Sequence, residues 1–196
     1  MRNNRILVLV ECALAVALSL VLNFIAIRLP INIAGGSVSL TMLPIAIVAL
    51  RRGPAAGALT GVVFGTFDLL MEPFIIHWAQ VILDYPLPYL LFGFGVGLFA
   101  RVYARTYEKS SQSTIKNKLG KGSVLIAFAL VLGGALRYAA HVSSGVIFFA
   151  EYAGGENVLL YSLVYNISYL APSLVATFVL ALVIMPILAR AVPIKS

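Results

Sequence analysis

Two ionisable side chains, Arg137 and His141, lie four residues apart in a stretch that is otherwise apolar enough to cross a lipid bilayer. Residues four apart share one face of an α-helix, so both groups would project to the same side. Such groups are costly in lipid unless they have partners or water, and they indicate a functional site. Arg137 either neutralises Asp84 or Asp68 or caps backbone carbonyls. His141 either binds a ligand or packs as a hydrogen-bonded helix histidine.

Other polar side chains are expected at the depth of His141, in the outer half of its helix. At about 1.5 Å per residue, His141 lies roughly 27 Å along a helix that begins near residue 123. The neighbouring spans place a carboxylate, two phenols and an amide at a similar depth: Asp84, Tyr85, Tyr161 and Asn166. The sequence therefore predicts a polar chamber that three helices build near one surface of the membrane.

Gly145 and Phe149 continue the helix face that carries His141. Gly145 leaves room beside the imidazole, and Phe149 adds an aromatic ring, as Tyr152 and Trp78 are also expected to do. A carboxylate among aromatic rings suits a flat cation, through charge and cation–π attraction. Asn, His and Tyr side chains suit the polar edge of a nitrogen heterocycle. The chamber is therefore predicted to bind a flat, positively charged heterocycle.

The composition identifies the protein that holds this chamber as an integral membrane protein. The chain is 61% hydrophobic and 11% charged, with a mean hydropathy of +1.01, whereas a soluble domain is about 25% charged. We predict a single all-α domain, residues 1–196, with six transmembrane helices. The predicted spans are residues 6–27, 40–50, 54–70, 79–100, 123–149 and 159–189, with a hydrophilic cytoplasmic linker at about 101–122.

The basic residues predict the orientation of these spans. Of the 14 Lys and Arg residues, twelve fall in the segments 1–5, 51–52, 101–121 and 190–195, while Arg28 lies on the opposite side and Arg137 within a span. The positive-inside rule then places both termini in the cytoplasm of a multi-pass plasma-membrane protein. The net charge of +7 is accordingly a topology signal with anionic-lipid contacts, and no nucleic-acid partner is expected.

Small residues mark two helix faces for close packing. Ala13 and Ala17 are one turn apart on the first span and fit either internal packing or an external partner. Gly57, Gly61 and Gly65 repeat at four-residue spacing on the third span and predict a close contact with another helix.

Several function classes lack their sequence signals. The chain has no Walker loop, no GxSxG serine and no zinc-type His/Cys cluster, so we expect no bound metal, no cofactor and no enzyme activity. An intramembrane enzyme that uses Asp84 and His141 as acid and base is the alternative from a different class. The polar residues end midway through the membrane, which favours capture of a ligand from outside over conduction through a pore.

Five segments of the chain resemble those of the thiamine-specific substrate-binding (S) components of energy-coupling factor (ECF) transporters. They are AGGSVSL at 34–40, RRG at 51–53, LDYP at 83–86, RYxxHxxSGxxFF at 137–149 and YSLVYNxSY at 161–169. The resemblance implies a six-helix protein that captures extracellular thiamine at high affinity for ATP-driven uptake. It also implies a membrane coupling subunit and two ATPase subunits as partners.

The resemblance carries over to individual residues. It implies a pocket formed by Asp84, Tyr85, His141, Gly145, Phe149, Tyr161 and Asn166. It further implies a lid at Gly36, Ser37 and Val38, and a docking face for the coupling subunit at Ala13 and Ala17.

Two pocket positions depart from the family pattern, which has glutamate at position 84 and tryptophan at position 149. Asp84 is one methylene shorter, and Phe149 is a weaker cation–π partner. Both keep the chemical type but bear on affinity and on the choice of ligand. The alternative ligand is another vitamin or a pyrimidine precursor.

Overall fold

A computed structural model describes residues 2–28, 36–108 and 115–191 of the chain. Eight α-helices account for most of these residues: α1 (Arg2–Phe24), α2 (Met42–Arg52), α3 (Pro54–Met71), α4 (Trp78–Asp84), α5 (Pro86–Gly97), α6 (Ala100–Glu108), α7 (Ile115–Phe148) and α8 (Val158–Ala191). A 3₁₀ turn, Ala150–Ala153, precedes α8. The all-α prediction is confirmed, apart from a short antiparallel ladder between β1 (Ile27–Arg28) and β2 (Ser37–Val38).

Five segments within the described residues are long and apolar enough to cross a membrane. They are Arg5–Phe24, Pro54–Met71, Trp78–Thr106, Gly120–Phe148 and Val158–Leu188. The predicted second span corresponds to α2, whose 11 residues reach only about 16 Å, roughly half of a bilayer core.

Helix α2 lies at the centre of the bundle and packs against α1, α3, α5 and α8. Met42, Ile45 and Leu50 are each no more than 1% exposed. An apolar helix this short therefore gains its stability from burial among its neighbours, because burial of one such side chain contributes about 1.5–3 kcal/mol.

The predicted close contact of the third span is the packing of α3 on α5. A Cβ atom at Gly61 would collide with the carbonyl of Tyr89, and one at Gly65 would collide with the carbonyl of Tyr85. The two backbones therefore meet with no side chain between them. This contact fixes the height of Tyr85 and Tyr89 relative to α3.

The predicted fourth span, residues 79–100, is not one continuous helix. It is divided into α4, α5 and α6, with the first break at Tyr85 (φ −113°, ψ −81°). Pro86 explains this break, because proline disfavours helical geometry at the preceding residue and supplies no backbone N–H. The break places Asp84 and Tyr85 at the junction of two short helices.

The predicted linker, residues 101–122, is also largely helical where it is described. Helix α6 extends to Glu108 and α7 begins at Ile115. Residues 109–114 lie outside the described residues, as do residues 29–35 of the first connection. The predicted lid residues, Gly36 to Val38, lie within the described part.

Candidate ligand-binding site

A cavity of about 180 Å³ opens among α1, α3, the α4–α5 junction, α7 and α8. This volume is far above the roughly 10–15 Å³ that a single water needs, so it can hold a small organic molecule. All seven predicted pocket residues line it: Asp84, Tyr85, His141, Gly145, Phe149, Tyr161 and Asn166. The structure thus brings together side chains from three of the predicted spans, as expected from the similar depth predicted for them.

A series of close polar contacts connects the two ionisable residues of α7 to the carboxylate of α4. The Nε of Arg137 donates to Nε2 of His141 at 3.3 Å, and Nδ1 of His141 lies 3.6 Å from Oδ1 of Asp84. Because a guanidinium cannot accept a hydrogen bond, Nε2 must be the unprotonated nitrogen. The ring proton is therefore assigned to Nδ1, where it faces the carboxylate.

Arg137 is buried, with 6% of its surface exposed. Its guanidinium carbon lies 4.0 Å from the ring centroid of Tyr89, which is a cation–π contact. Arg137 and Asp68 both line the cavity. Of the roles expected from the sequence, Arg137 thus reaches Asp84 through His141.

Asp68, which sequence reasoning left unassigned, lines the same cavity from α3. Its Oδ1 accepts a hydrogen bond of 2.8 Å from Nδ2 of Asn23, and its Oδ2 lies 3.4 Å from the hydroxyl of Tyr89. The end of α1 is therefore tied to the cavity wall.

Asn166 sits on α8 with 5% of its surface exposed. Its Nδ2 donates to the backbone oxygen of Ser162 at 2.9 Å, and its Oδ1 accepts from the hydroxyl of Tyr169 at 2.6 Å. Gly145 lies opposite on α7, where a Cβ atom would collide with the Ser162 hydroxyl. The main reason for glycine here is therefore the close approach of α8, rather than the room beside His141 that we predicted.

Aromatic rings form two walls of the cavity. Phe149 stacks on Phe74 with centroids 6.0 Å apart, and Tyr161 stacks on Tyr165, also at 6.0 Å. Trp78, in contrast, is 73% exposed and is absent from the residues that line the cavity. The expectation that Trp78 adds a ring to the chamber is wrong.

The predicted lid segment covers one side of the cavity. The backbone N–H of Gly36 donates to the hydroxyl of Tyr165 at 3.0 Å, and Gly36 and Ser37 both line the cavity. Val38 packs against the hydrophobic core instead. This segment is thus attached directly to the aromatic wall of α8.

Carboxylates dominate the charge of the cavity lining. Among the described residues, Asp68, Glu72 and Asp84 line it together with one guanidinium, that of Arg137. This excess of negative charge favours a cationic ligand. Sequence reasoning missed Glu72 and Gln80 as lining residues, although Gln80 precedes Asp84 by one helical turn and so shares its face.

The predicted docking face on α1 points away from the bundle. Ala13 and Ala17 are exposed, whereas Cys12, Ala15 and Val16 are buried. Of the two alternatives left by the sequence, internal packing is therefore excluded for these two residues within the described part of the chain.

One family model, two protein sequences and one solved structure resemble this chain over most of its length. Residues 9–194 match the family model described as Thiamine transporter protein (Thia_YuaJ). The chain is 33% identical over 187 residues to the thiamine transporter ThiT of Bacillus subtilis (strain 168), covering 94% of this chain and 93% of the relative. It is 30% identical over 173 residues to ThiT of Lacticaseibacillus paracasei, covering 84% and 80%. A solved structure of ThiT from Listeria monocytogenes superposes with a TM-score of 0.77 at 28% identity, covering 97% of both chains.

Proposed function

Because this chain belongs to the thiamine transporter protein family, we propose that its cavity captures extracellular thiamine for ATP-driven uptake. The relatives are named as transporters, not enzymes. The protein would act as the substrate-binding component of an ECF-type transporter.

One observation carries this proposal: the predicted pocket residues meet around a single cavity whose charged lining is mainly acidic. Thiamine has a thiazolium ring with a permanent positive charge and an aminopyrimidine ring. Carboxylates and aromatic faces attract the first ring, and amide, imidazole and phenol groups match the polar edge of the second.

We assign roles in binding from the partners that each side chain already has. Asp84 balances the thiazolium charge or accepts from the pyrimidine amino group, since its carboxylate lines the cavity beside His141. His141, Tyr161 and Asn166 face the pyrimidine edge. Phe149 and Tyr85 offer ring faces, because the Tyr85 hydroxyl is already engaged with the backbone of Glu72 and Phe74.

The lid and the orientation of the protein complete the proposal. Six membrane segments, counting the short helix α2 and the chain leading into it as the second, would place both termini in the cytoplasm of the plasma membrane. The cavity would then open to the outside, and Gly36, Ser37 and Val38 would close it after thiamine enters. The distribution of Lys and Arg supports this orientation.

The energy for release would come from partner proteins. A membrane coupling subunit would dock on the exposed Ala13 and Ala17 of α1, where small side chains permit close approach of a second helix. Two ATPase subunits bound to it would supply the ATP hydrolysis for which this chain has no Walker loop.

Calorimetry on the purified full-length protein tests ligand capture. We expect thiamine to bind with a dissociation constant below micromolar and uncharged riboflavin not to bind. Native mass spectrometry of the protein as purified identifies the ligand it retains. A retained pyrimidine precursor with weaker thiamine binding would favour the alternative ligand, and turnover of bound thiamine without ATP would favour the enzyme.

A further inference from the structure

Gln80 on α4 is the most deeply buried polar side chain of the α4–α5 junction, with 1% of its surface exposed. Its Nε2 donates to Oδ2 of Asp84 at 2.7 Å and to the backbone oxygen of Phe74 at 3.1 Å. Its Oε1 accepts from the backbone N–H of Ile76 at 3.2 Å. Three partners therefore surround one buried amide.

These partners fix the orientation of the amide. The NH₂ group of glutamine has two donors and its oxygen is an acceptor, and here two acceptors and one donor face them in the matching positions. A flipped amide would place its oxygen against the Asp84 carboxylate and the Phe74 carbonyl. Gln80 therefore acts as a hydrogen-bond donor toward Asp84.

The second oxygen of Asp84 faces a different donor. Nδ1 of His141 lies 3.6 Å from Oδ1, so the carboxylate is hydrogen-bonded to Gln80 on one side and faces the imidazole of α7 on the other. A charged group that is already ordered loses less conformational entropy when its ligand binds, which increases affinity.

Gln80 also connects this carboxylate to the loop that follows α3. Through Phe74 and Ile76 it anchors the backbone of this loop, and Phe74 stacks on Phe149 in the cavity wall. The hydroxyl of Tyr85 anchors the same loop through Glu72 and Phe74. Gln80 and Tyr85 thus both anchor this loop, and the Gln80 side chain also hydrogen-bonds the Asp84 carboxylate.

We propose that Gln80 is a positioning residue that holds the Asp84 carboxylate ready for the cationic ligand. This inference rests on the proposed function, in which Asp84 binds thiamine. A glutamine with a purely structural role would behave differently, because its loss would weaken thiamine binding whether or not Asp84 is present.

A double-mutant cycle tests the proposal on the full-length protein in detergent, with thiamine titrated by calorimetry. Gln80→Met keeps the side-chain length but removes the donors, and it is measured alone and together with Asp84→Ala. We expect the single substitution to raise the dissociation constant about tenfold or more, as for loss of a hydrogen bond to a charged group. In the Asp84→Ala background the same substitution should change it by less than about twofold.

Gln112→Met, the same substitution in the hydrophilic segment between α6 and α7, is the matched control and should bind as the wild type does. If Gln80→Met does not purify as a folded protein, Gln80→Leu decides in its place. Leucine is similar in volume to methionine and likewise offers no hydrogen-bond donor to Asp84.

Two results would overturn the role of Gln80 while leaving the proposed function intact. One is wild-type affinity in the Gln80 variants. The other is an equal loss in both backgrounds, which would assign the effect to the loop or the fold. Wild-type protein that binds no thiamine would instead refute the proposed function, and this inference with it.

Discussion

At the residue scale, Asp84 is the side chain on which the electrostatics of the cavity depend. It accepts a hydrogen bond from Gln80 and faces the imidazole of His141. The Asp84 carboxylate thus has a defined position between Gln80 on α4 and His141 on α7.

Replacing Asp84 by Asn should weaken thiamine binding by roughly ten- to a hundredfold, because a charge-assisted interaction contributes about 1.5–3 kcal/mol. Isothermal calorimetry measures the change. Glu156→Gln is the matched control, since it removes a carboxylate that is exposed and lies outside the cavity lining. Equal affinity of the Asn variant and the wild type would refute a role for the carboxylate.

Substitutions at Phe149 test how much the aromatic wall of the cavity contributes to thiamine affinity. Phe149→Leu keeps an apolar side chain but removes the π face, and cation–π contacts contribute about 0.5–2 kcal/mol. We expect thiamine affinity to fall by roughly two- to thirtyfold, and Phe149→Trp to restore or exceed it. Phe148→Leu should leave affinity unchanged, because Phe148 stacks on His77 and does not line the cavity. Similar losses in the two leucine variants would contradict this assignment.

At the element scale, the glycine contact between α3 and α5 sets the position of the site. We expect Gly61→Ala to lower the free energy of unfolding by about 1–3 kcal/mol, because the new methyl group meets the Tyr89 carbonyl and the helices must separate. Thermal unfolding in detergent measures the effect. Gly120→Ala on α7 is the control: apart from its chain neighbours and its own helix backbone, no atom lies within 4 Å of its added Cβ, so stability should stay equal or rise slightly. Equal melting of all three proteins would show that the contact is loose.

Variants at the exposed alanines of α1 would distinguish a defect in transport from a defect in ligand binding. The double substitution Ala13→Trp and Ala17→Trp should abolish thiamine uptake by cells while calorimetric binding to the purified protein persists, because these residues do not line the cavity. Ala135→Trp, at an exposed alanine of α7, is the control and should support uptake. Normal uptake by the double variant would exclude this face as the docking site.

At the scale of the whole molecule, the orientation in the membrane decides whether the cavity meets external thiamine. Cys12 is the single cysteine, so a Cys12→Ser background permits site-specific labelling. A membrane-impermeant maleimide should label Glu156→Cys in intact cells and Arg105→Cys only after permeabilisation. The reverse pattern would invert the proposed topology.

The pocket could be predicted from the sequence to a large extent, because its polar residues stand out against an apolar background. Depth along a helix follows from the rise per residue, so Asp84, His141 and Asn166 could be placed at one level before any contact was known. Their partners could not be placed. Whether Asp84 faces the imidazole of His141 or lipid depends on how α4 is rotated and where Pro86 breaks the chain.

The sequence alone was enough to determine three properties. Hydropathy gave the class of protein, the positions of Lys and Arg gave the charge asymmetry along the chain, and the cost of burying charge identified the residues that need partners in the membrane. The tertiary structure alone decided the pairing of Asp68 with Asn23, the central position of α2, and the role of Gly145 as a contact for Ser162. The physical reason is that a helical pattern gives the face of each helix but not its neighbour. The neighbour is set by how closely two backbones can approach, which is a property of both helices together.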